Sequence, residues 1–121
     1  MSSERGSITV VTAAVIGLAV VVTMGTADIG KALIARAHAR QAADAAALAA
    51  AQELALPSGP DPAAVAADYA ARNGATLTAC VCTPGSTEAL VTVTVLIDRL
   101  LLLPGSRTAT AQARAVVGSP A

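Results

Sequence analysis

The chain has 121 residues, a net charge of zero and a hydrophobic content of 55%, much of it alanine. It contains no Phe or Trp, and Tyr69 is its one aromatic residue, so nucleic-acid binding through a basic patch or through base stacking is excluded. When the N-terminal apolar segment is set aside, fewer than 100 residues remain, which suffices for one small domain with a shallow core.

The first predicted element is an uncharged apolar helix over residues 6–27. A helix of this length spans about 33 Å, enough to cross the hydrocarbon core of a bilayer. A secretory signal begins in the same way, and cleavage after Ala27 is the alternative. Because the helical pattern continues directly past Asp28, we favour a retained transmembrane anchor, residues 1–27, over a removed signal.

Residues 28–56 are predicted to form an alanine-rich stalk helix that continues the anchor. Alanine has the highest helix propensity, and its methyl group lets another helix or a sheet approach the backbone closely; a compositional bias towards alanine is the alternative explanation. The carboxylate of Asp28 is expected either at the membrane interface or buried against a neighbouring helix, and its place at the end of the span favours the interface. One stripe of this helix carries Ile29, Leu33, Ala37, Gln41 and Leu48.

The remaining segment, residues 57–121, is predicted to be a small α+β outer domain. A Pro-Ser-Gly-Pro turn ends the stalk, and a short helix then begins with Asp61 as its cap and Pro62 in its first turn, and stops at Gly74. Three segments with alternating apolar and polar residues follow, starting near residues 75, 91 and 108. They predict a three-stranded antiparallel meander with one polar face and one face covered by helix.

The first predicted strand carries both cysteines of the chain. Its alternation places Leu77, Ala79 and Val81 on one face, and Cys80 and Cys82 share the other. Positions i and i+2 of a strand are close to the largest Cα separation that a disulfide tolerates. We therefore favour unpaired thiols facing a helix, with a bridge between the two cysteines or an intermolecular bond as alternatives.

A leucine-rich segment separates the second and third predicted strands, at residues 98–105. Burial against the helices is the default interpretation. The alternative is a contact patch for a partner subunit or for the membrane surface, because a leucine loop on a small domain is costly in water. The four candidate contact residues are Leu100, Leu101, Leu102 and Leu103.

No catalytic, cofactor-binding or metal-ligating pattern is found in the sequence. The acidic residues are scattered singly, His38 is the one histidine, and the serines lack the setting of a nucleophile. The Gly-Ser pairs lack the strand and helix that a phosphate loop requires. The sequence therefore predicts a non-enzymatic protein that uses no cofactor and no small-molecule substrate.

Together, these segments resemble the TadE/TadG-like minor pilins of the Flp (type IVb, tight-adherence) pilus, especially the short actinobacterial TadE-like proteins. The similar segments are residues 5–10 before the span, 28–30 after it, 39–49 on the stalk and the final strand, 108–117. The Gln-Ala-Ala-Asp-Ala-Ala-Ala-Leu stretch is the most distinctive. On the helix, the residues that carry the motif are Asp28, Gly30, Arg40, Gln41, Asp44 and Leu48.

The resemblance implies a pilin-like fold and a membrane-anchored minor pilin or accessory subunit in Flp/Tad pilus assembly or a related secretion system. Its partners would be membrane lipid and other Tad pilus or secretion subunits. Prepilin peptidases cut after a glycine, and Gly6 and Ser7 occupy that position here. Val11 stands where pilins commonly carry Glu, so an accessory subunit fits better than a major filament subunit.

Two expectations about location conflict. The resemblance implies a single-pass protein of the cell membrane with its C-terminal domain outside. The excess of basic residues after the span, Lys31, Arg36 and Arg40 against Arg5 before it, predicts the opposite orientation. The alternative function is a small secreted binding or effector protein whose N-terminal signal is cleaved.

Overall fold

The computed structural model describes residues 2–97, 99–103 and 105–118. In chain order the elements are helix α1 (Ser2–Ala55), helix α2 (Pro62–Arg72) and strands β1 (Thr76–Val81), β2 (Glu88–Ile97) and β3 (Arg107–Val116). This confirms the predicted α+β class, with one long helix, one short helix and a three-stranded antiparallel sheet. Of the residues discussed from the sequence, Met1, Asp98 and Pro104 lie outside the described residues.

Helix α1 runs without a break through the predicted membrane boundary at Asp28. Its 54 residues give a length of about 81 Å. The helix contains no proline and is rich in alanine, so nothing in its sequence interrupts the backbone hydrogen bonds. It ends where Ser58 folds back: the amide and the hydroxyl of Ser58 donate to the Glu53 carboxylate, at 3.0 and 2.6 Å.

Helix α2 begins and ends at the predicted signals. Pro62 lies in the first turn, and Asp61 has the extended backbone of a cap residue, although its side chain makes no cap hydrogen bond. Gly74 ends the helix with a φ of 72°, a left-handed conformation that glycine adopts without a steric penalty.

The sheet has the order β1-β2-β3, and all neighbours are antiparallel. The predicted hairpin turn joins β1 to β2, where the Ser86 amide donates to the Thr83 carbonyl at 3.0 Å. Along β2, Ala89, Val91 and Val93 are fully buried, and the residues between them are only partly covered. The central strand therefore has the predicted buried face.

In β1 the predicted alternation is wrong after Leu77. Leu77 pairs with Val93 but Ala79 pairs with Thr92, so Thr78 is an extra residue in β1. A bulge of this kind inverts the inward and outward positions beyond it. Leu77 and Cys80 consequently pack on the core, and Ala79 and Val81 are exposed.

Cys80 and Cys82 form a disulfide, so the favoured prediction of unpaired thiols is wrong. The prediction assumed that both residues belong to an extended strand, where their Cα atoms would be about 6.8 Å apart. Strand β1 ends at Val81, and the chain leaves the sheet at Cys82. The Cα separation is 5.4 Å, well inside the range that disulfides adopt.

The core lies between the C-terminal half of α1 and the sheet. On the helix side it consists of alanines, including Ala39, Ala42 and Ala46, which have no exposed surface. On the sheet side, Val91 and Val93 are the largest fully buried side chains. Methyl groups let the helix approach the sheet, and the valines fill the remaining space.

Candidate functional site: the apolar segment and the loop at its end

The N-terminal part of α1 projects beyond the rest of the protein. Every described side chain from residue 4 to residue 24 is exposed, including large aliphatic ones such as Ile8, Ile16 and Leu18. The helix is long and apolar enough to cross a membrane, and none of its most apolar window is buried inside the protein. This apolar part of α1 is therefore not buried in the core, although a signal sequence near the N-terminus would meet the same criteria.

Three hydroxyl groups of this apolar segment donate to carbonyls of the helix itself. The hydroxyl of Thr9 donates to the Arg5 carbonyl at 3.0 Å, and that of Thr23 donates to the Ala19 carbonyl at 2.8 Å. Thr26 donates to the Thr23 carbonyl at 2.8 Å. In a medium without water, a hydroxyl that lacked such a partner would be costly.

At the end of the apolar segment, Asp28 binds the leucine loop, which we define as residues 99–103. Its two carboxylate oxygens accept hydrogen bonds from the amides of Leu101 and Leu102, at 2.7 and 2.8 Å. One turn further along α1, the Lys31 ammonium donates to the Arg99 carbonyl at 2.8 Å. Three hydrogen bonds between residues about seventy positions apart thus fasten the loop to the helix.

These contacts keep Asp28 charged. The hydrogen bond from the Leu101 amide lowers the pKa of Asp28 below its ordinary value of 3.8, burial opposes the shift, and the Leu102 amide and the charge of Lys31 reinforce it. The side chain is only 7% exposed. Neither alternative weighed for Asp28 described this arrangement, in which the partners of a buried carboxylate are backbone amides of its own chain.

The four leucines divide into one buried and three exposed residues. Leu100 is buried, as the default interpretation expected, but Leu101 is 58% exposed and Leu102 and Leu103 are each 45% exposed. Leu102 reaches across to the apolar segment: its Cδ1 atom would lie 3.7 Å from a Cβ placed on Gly25. The expectation of burial is therefore wrong for three of the four.

The other candidate residues are not gathered into this site. Gly6 and Ser7 lie on the exposed N-terminal part of α1. The stripe that begins at Ile29 and Leu33 is exposed, and these two residues line a cleft together with Ile97 and Thr108 of the sheet. The remaining motif residues are spread along the stalk: Gly30 is partly covered, and Arg40, Gln41, Asp44 and Leu48 are exposed.

The sequence did not single out the contact between Lys31 and Arg99. A usable signal was present, because an irregular apolar loop leaves backbone amides and carbonyls that need partners. The sequence could not show which charged residue supplies them, since the partners are 68 positions apart. Within the described parts of the chain, no group of three or more His, Cys, Asp or Glu residues could hold a metal ion.

Comparison with known proteins agrees with this division of the chain. The family model of Flp pilus-assembly TadE/G-like proteins matches residues 6–53, which cover the apolar segment and nearly all of the stalk. The sheet lies outside the match. No curated protein and no solved structure gives a significant match. The chain is therefore similar to the TadE/G-like pilus-assembly proteins over residues 6–53.

Proposed function

We propose that this protein is a single-pass, membrane-anchored minor pilin or accessory subunit in Flp/Tad pilus assembly, with its sheet domain outside the cell. One observation carries the proposal. The residues that match the pilus-assembly family coincide with α1, whose first half is apolar and exposed and whose second half bears the sheet. The family is structural rather than catalytic, which supports a role without enzymatic activity.

The disulfide supports the outward orientation. Disulfides form and persist in oxidising compartments, and they are rare in the cytoplasm of most organisms. The bond between Cys80 and Cys82 therefore argues that β1 folds outside the cytoplasm. We give it more weight than the excess of basic residues after the span, because that excess rests on only a few side chains.

Other Tad pilus or secretion subunits are the proposed protein partners. The stalk offers them an apolar surface, since Ile29, Leu33, Ile34 and Leu48 are all exposed on the outer half of α1. Val11 occupies the position at which pilins commonly carry Glu. An accessory subunit therefore fits better than a major filament subunit, and processing between Gly6 and Ser7 remains part of the proposal to be tested.

A second candidate is a secreted binding or effector protein released by cleavage after Ala27. It is favoured by one observation: the three hydrogen bonds that fasten the leucine loop involve Asp28 and Lys31. All of them would survive removal of residues 1–27.

Cell fractionation with N-terminal sequencing separates the two candidates. The anchored subunit is expected in the membrane pellet after alkaline carbonate extraction, with an N-terminus at Met1, Ser2 or Ser7. A soluble product that starts near Asp28 would instead establish the secreted protein.

The role in pilus assembly needs a separate test, by photo-crosslinking in the native host. A photoreactive residue at Ile34, on the exposed side of the stalk, is expected to form adducts with Flp pilus or Tad subunits. A probe at Ala64, which is exposed on α2, is the matched control. Adducts at Ile34 that contain no such subunit would contradict the proposed role.

A further inference from the structure

We propose that the leucine loop is a second membrane contact, in which Leu101, Leu102 and Leu103 enter the interfacial layer of the bilayer that α1 crosses. The inference rests on the proposed anchoring of α1 but does not follow from it, because a span could equally carry its outer domain clear of the lipid. Three observations support it: the position of the loop along the axis of α1, the exposure of its side chains and the hydrogen bonds made by its backbone.

The loop lies beside the point on α1 at which the apolar segment ends. Its amides bind Asp28, the first charged residue after the segment. Leu102 also approaches Gly25, three residues earlier and about 4.5 Å deeper along the helix axis. Lipid that surrounds the last turn of the apolar segment would therefore reach the leucines as well.

The exposed side chains suit lipid better than water. Leu101 is 58% exposed, and Leu102 and Leu103 are each 45% exposed, so they form a contiguous apolar group that water solvates poorly. Beside them are Lys31 and the exposed Arg99. Basic residues at this position can contact phosphate headgroups while the leucines point towards the acyl chains.

Part of the loop backbone already has the protein partners that a medium with little water requires. Irregular backbone is tolerated near the hydrocarbon only where its polar groups have protein partners. The amides of Leu101 and Leu102 donate to Asp28, and the Arg99 carbonyl accepts from Lys31. The same three bonds fix the loop to one side of α1, so that the protein meets the bilayer at two points.

Tryptophan fluorescence tests this contact, because the chain has no Trp of its own. Three full-length variants are reconstituted in phosphatidylcholine–phosphatidylglycerol vesicles: Leu101→Trp in the loop, Leu18→Trp in the proposed span and Leu56→Trp at the far end of the stalk. All three leucines are exposed, so each substitution is expected to preserve the fold. Lipids brominated either near the headgroup end or near the methyl end of the acyl chain then quench Trp according to its depth.

We expect lipids brominated near the headgroup to quench Leu101→Trp several-fold more than lipids brominated deep in the chain. Leu18→Trp should show the opposite preference, and Leu56→Trp should be quenched by neither. Leu103→Trp is a second loop probe and should behave like Leu101→Trp. A further variant with Leu101→Trp and Asp28→Asn should lose much of the quenching, since the amides of the loop would lose a charged acceptor.

The outcomes distinguish the two proposals. If Leu18→Trp is quenched but both loop probes are as open to aqueous acrylamide as Leu56→Trp, the loop contact is wrong and the anchor stands. If the loop probes are shielded from acrylamide without being quenched by bromine, the loop binds protein instead of lipid, which also overturns the inference. If Leu18→Trp is not quenched, the anchoring itself is wrong.

Discussion

The two halves of α1, residues 6–27 and residues 28–55, form one continuous helix but differ in the size of their side chains and in what covers them. In the first half, large aliphatic side chains are exposed along the whole surface. In the second half, the buried positions are almost all alanines, and they pack in one core with the sheet and α2. The large side chains of α1 are therefore exposed, and the small ones are buried within the protein.

On the proposed anchoring of α1, the difference teaches that each half matches a different surrounding medium. Lipid is fluid and accommodates aliphatic side chains of any size, so the first half needs only to be apolar and long enough. A folded sheet presents a fixed surface, so the second half needs small side chains at every contact. Hydrophobicity alone would not distinguish the halves, since alanine counts as apolar in both.

The largest difference between the two halves should appear when an arginine is introduced into each of them. Ile16 and Leu48 are almost equally exposed, at 59% and 58%, but only Ile16 lies near the centre of the proposed span. Ile16→Arg is expected to make the apparent free energy of membrane insertion less favourable by about 3–4 kcal/mol. Leu48→Arg should change it, and the stability, by less than about 0.5 kcal/mol.

A membrane-insertion reporter fused to the chain measures the first effect, and thermal unfolding in detergent micelles measures the stability. Equal responses at the two positions would mean that both halves meet water, and the comparison between them would fail.

A smaller effect should follow from enlarging alanines of the stalk. Ala46 has no exposed surface, and Ala46→Leu should lower the free energy of unfolding by about 1–3 kcal/mol, because the sheet would have to move away from the helix. Ala37 is exposed on the same helix, and Ala37→Leu should change that energy by less than about 0.5 kcal/mol. Denaturant unfolding in micelles provides the measurement, and similar losses at both positions would argue against a close helix–sheet contact.

The smallest predicted effect is that of acid pH on the leucine loop, which binds Asp28 at the junction of the two halves. Because the folded-state pKa of Asp28 is lowered, the docking of the loop is fully stabilised above the ordinary carboxyl value of 3.8 and is lost as the pH falls through the lowered value. NMR protection factors of the Leu101 and Leu102 amides should therefore fall at acid pH. In Asp28→Asn they should be low and independent of pH over the same range.

The Ser58 amide provides an internal control for this acid titration. It donates to Glu53, whose pKa is lowered chiefly by the Ser58 hydroxyl and further by this amide. Glu53 should thus titrate at the other end of the stalk, independently of the loop. If the Leu101 amide keeps its protection after the Asp28 carboxyl has titrated, Asp28 is not what holds the loop.

The sequence was sufficient for the features that depend on local pattern. A long run of alanine without proline predicts the stalk, Gly74 predicts the end of α2, and the alternation of valines predicts the buried face of β2. The features that it missed depend on a local irregularity in one strand or on a contact between residues far apart in the sequence. The bulge at Thr78 inverts a strand by one residue, and the early end of β1 brings Cys80 and Cys82 within bonding distance.

The loop site illustrates the second kind of miss. Asp28 and the leucines were each recognised as unusual in the sequence, but separately. Their contact spans 73 residues and depends on how the sheet lies on the stalk, which no local pattern encodes. The family model also stops at residue 53, before the loop begins.

Because α1 has no break at Asp28, its two halves cannot rotate independently about the helix axis. Each residue of a helix turns the chain by about 100° and advances it by about 1.5 Å. If the first half of α1 spans the bilayer as proposed, the side that it presents there is therefore held at a fixed angle, about the helix axis, to the side that carries the sheet. A subunit built in this way would transmit its angular orientation, as well as its position, from the membrane to whatever assembles outside.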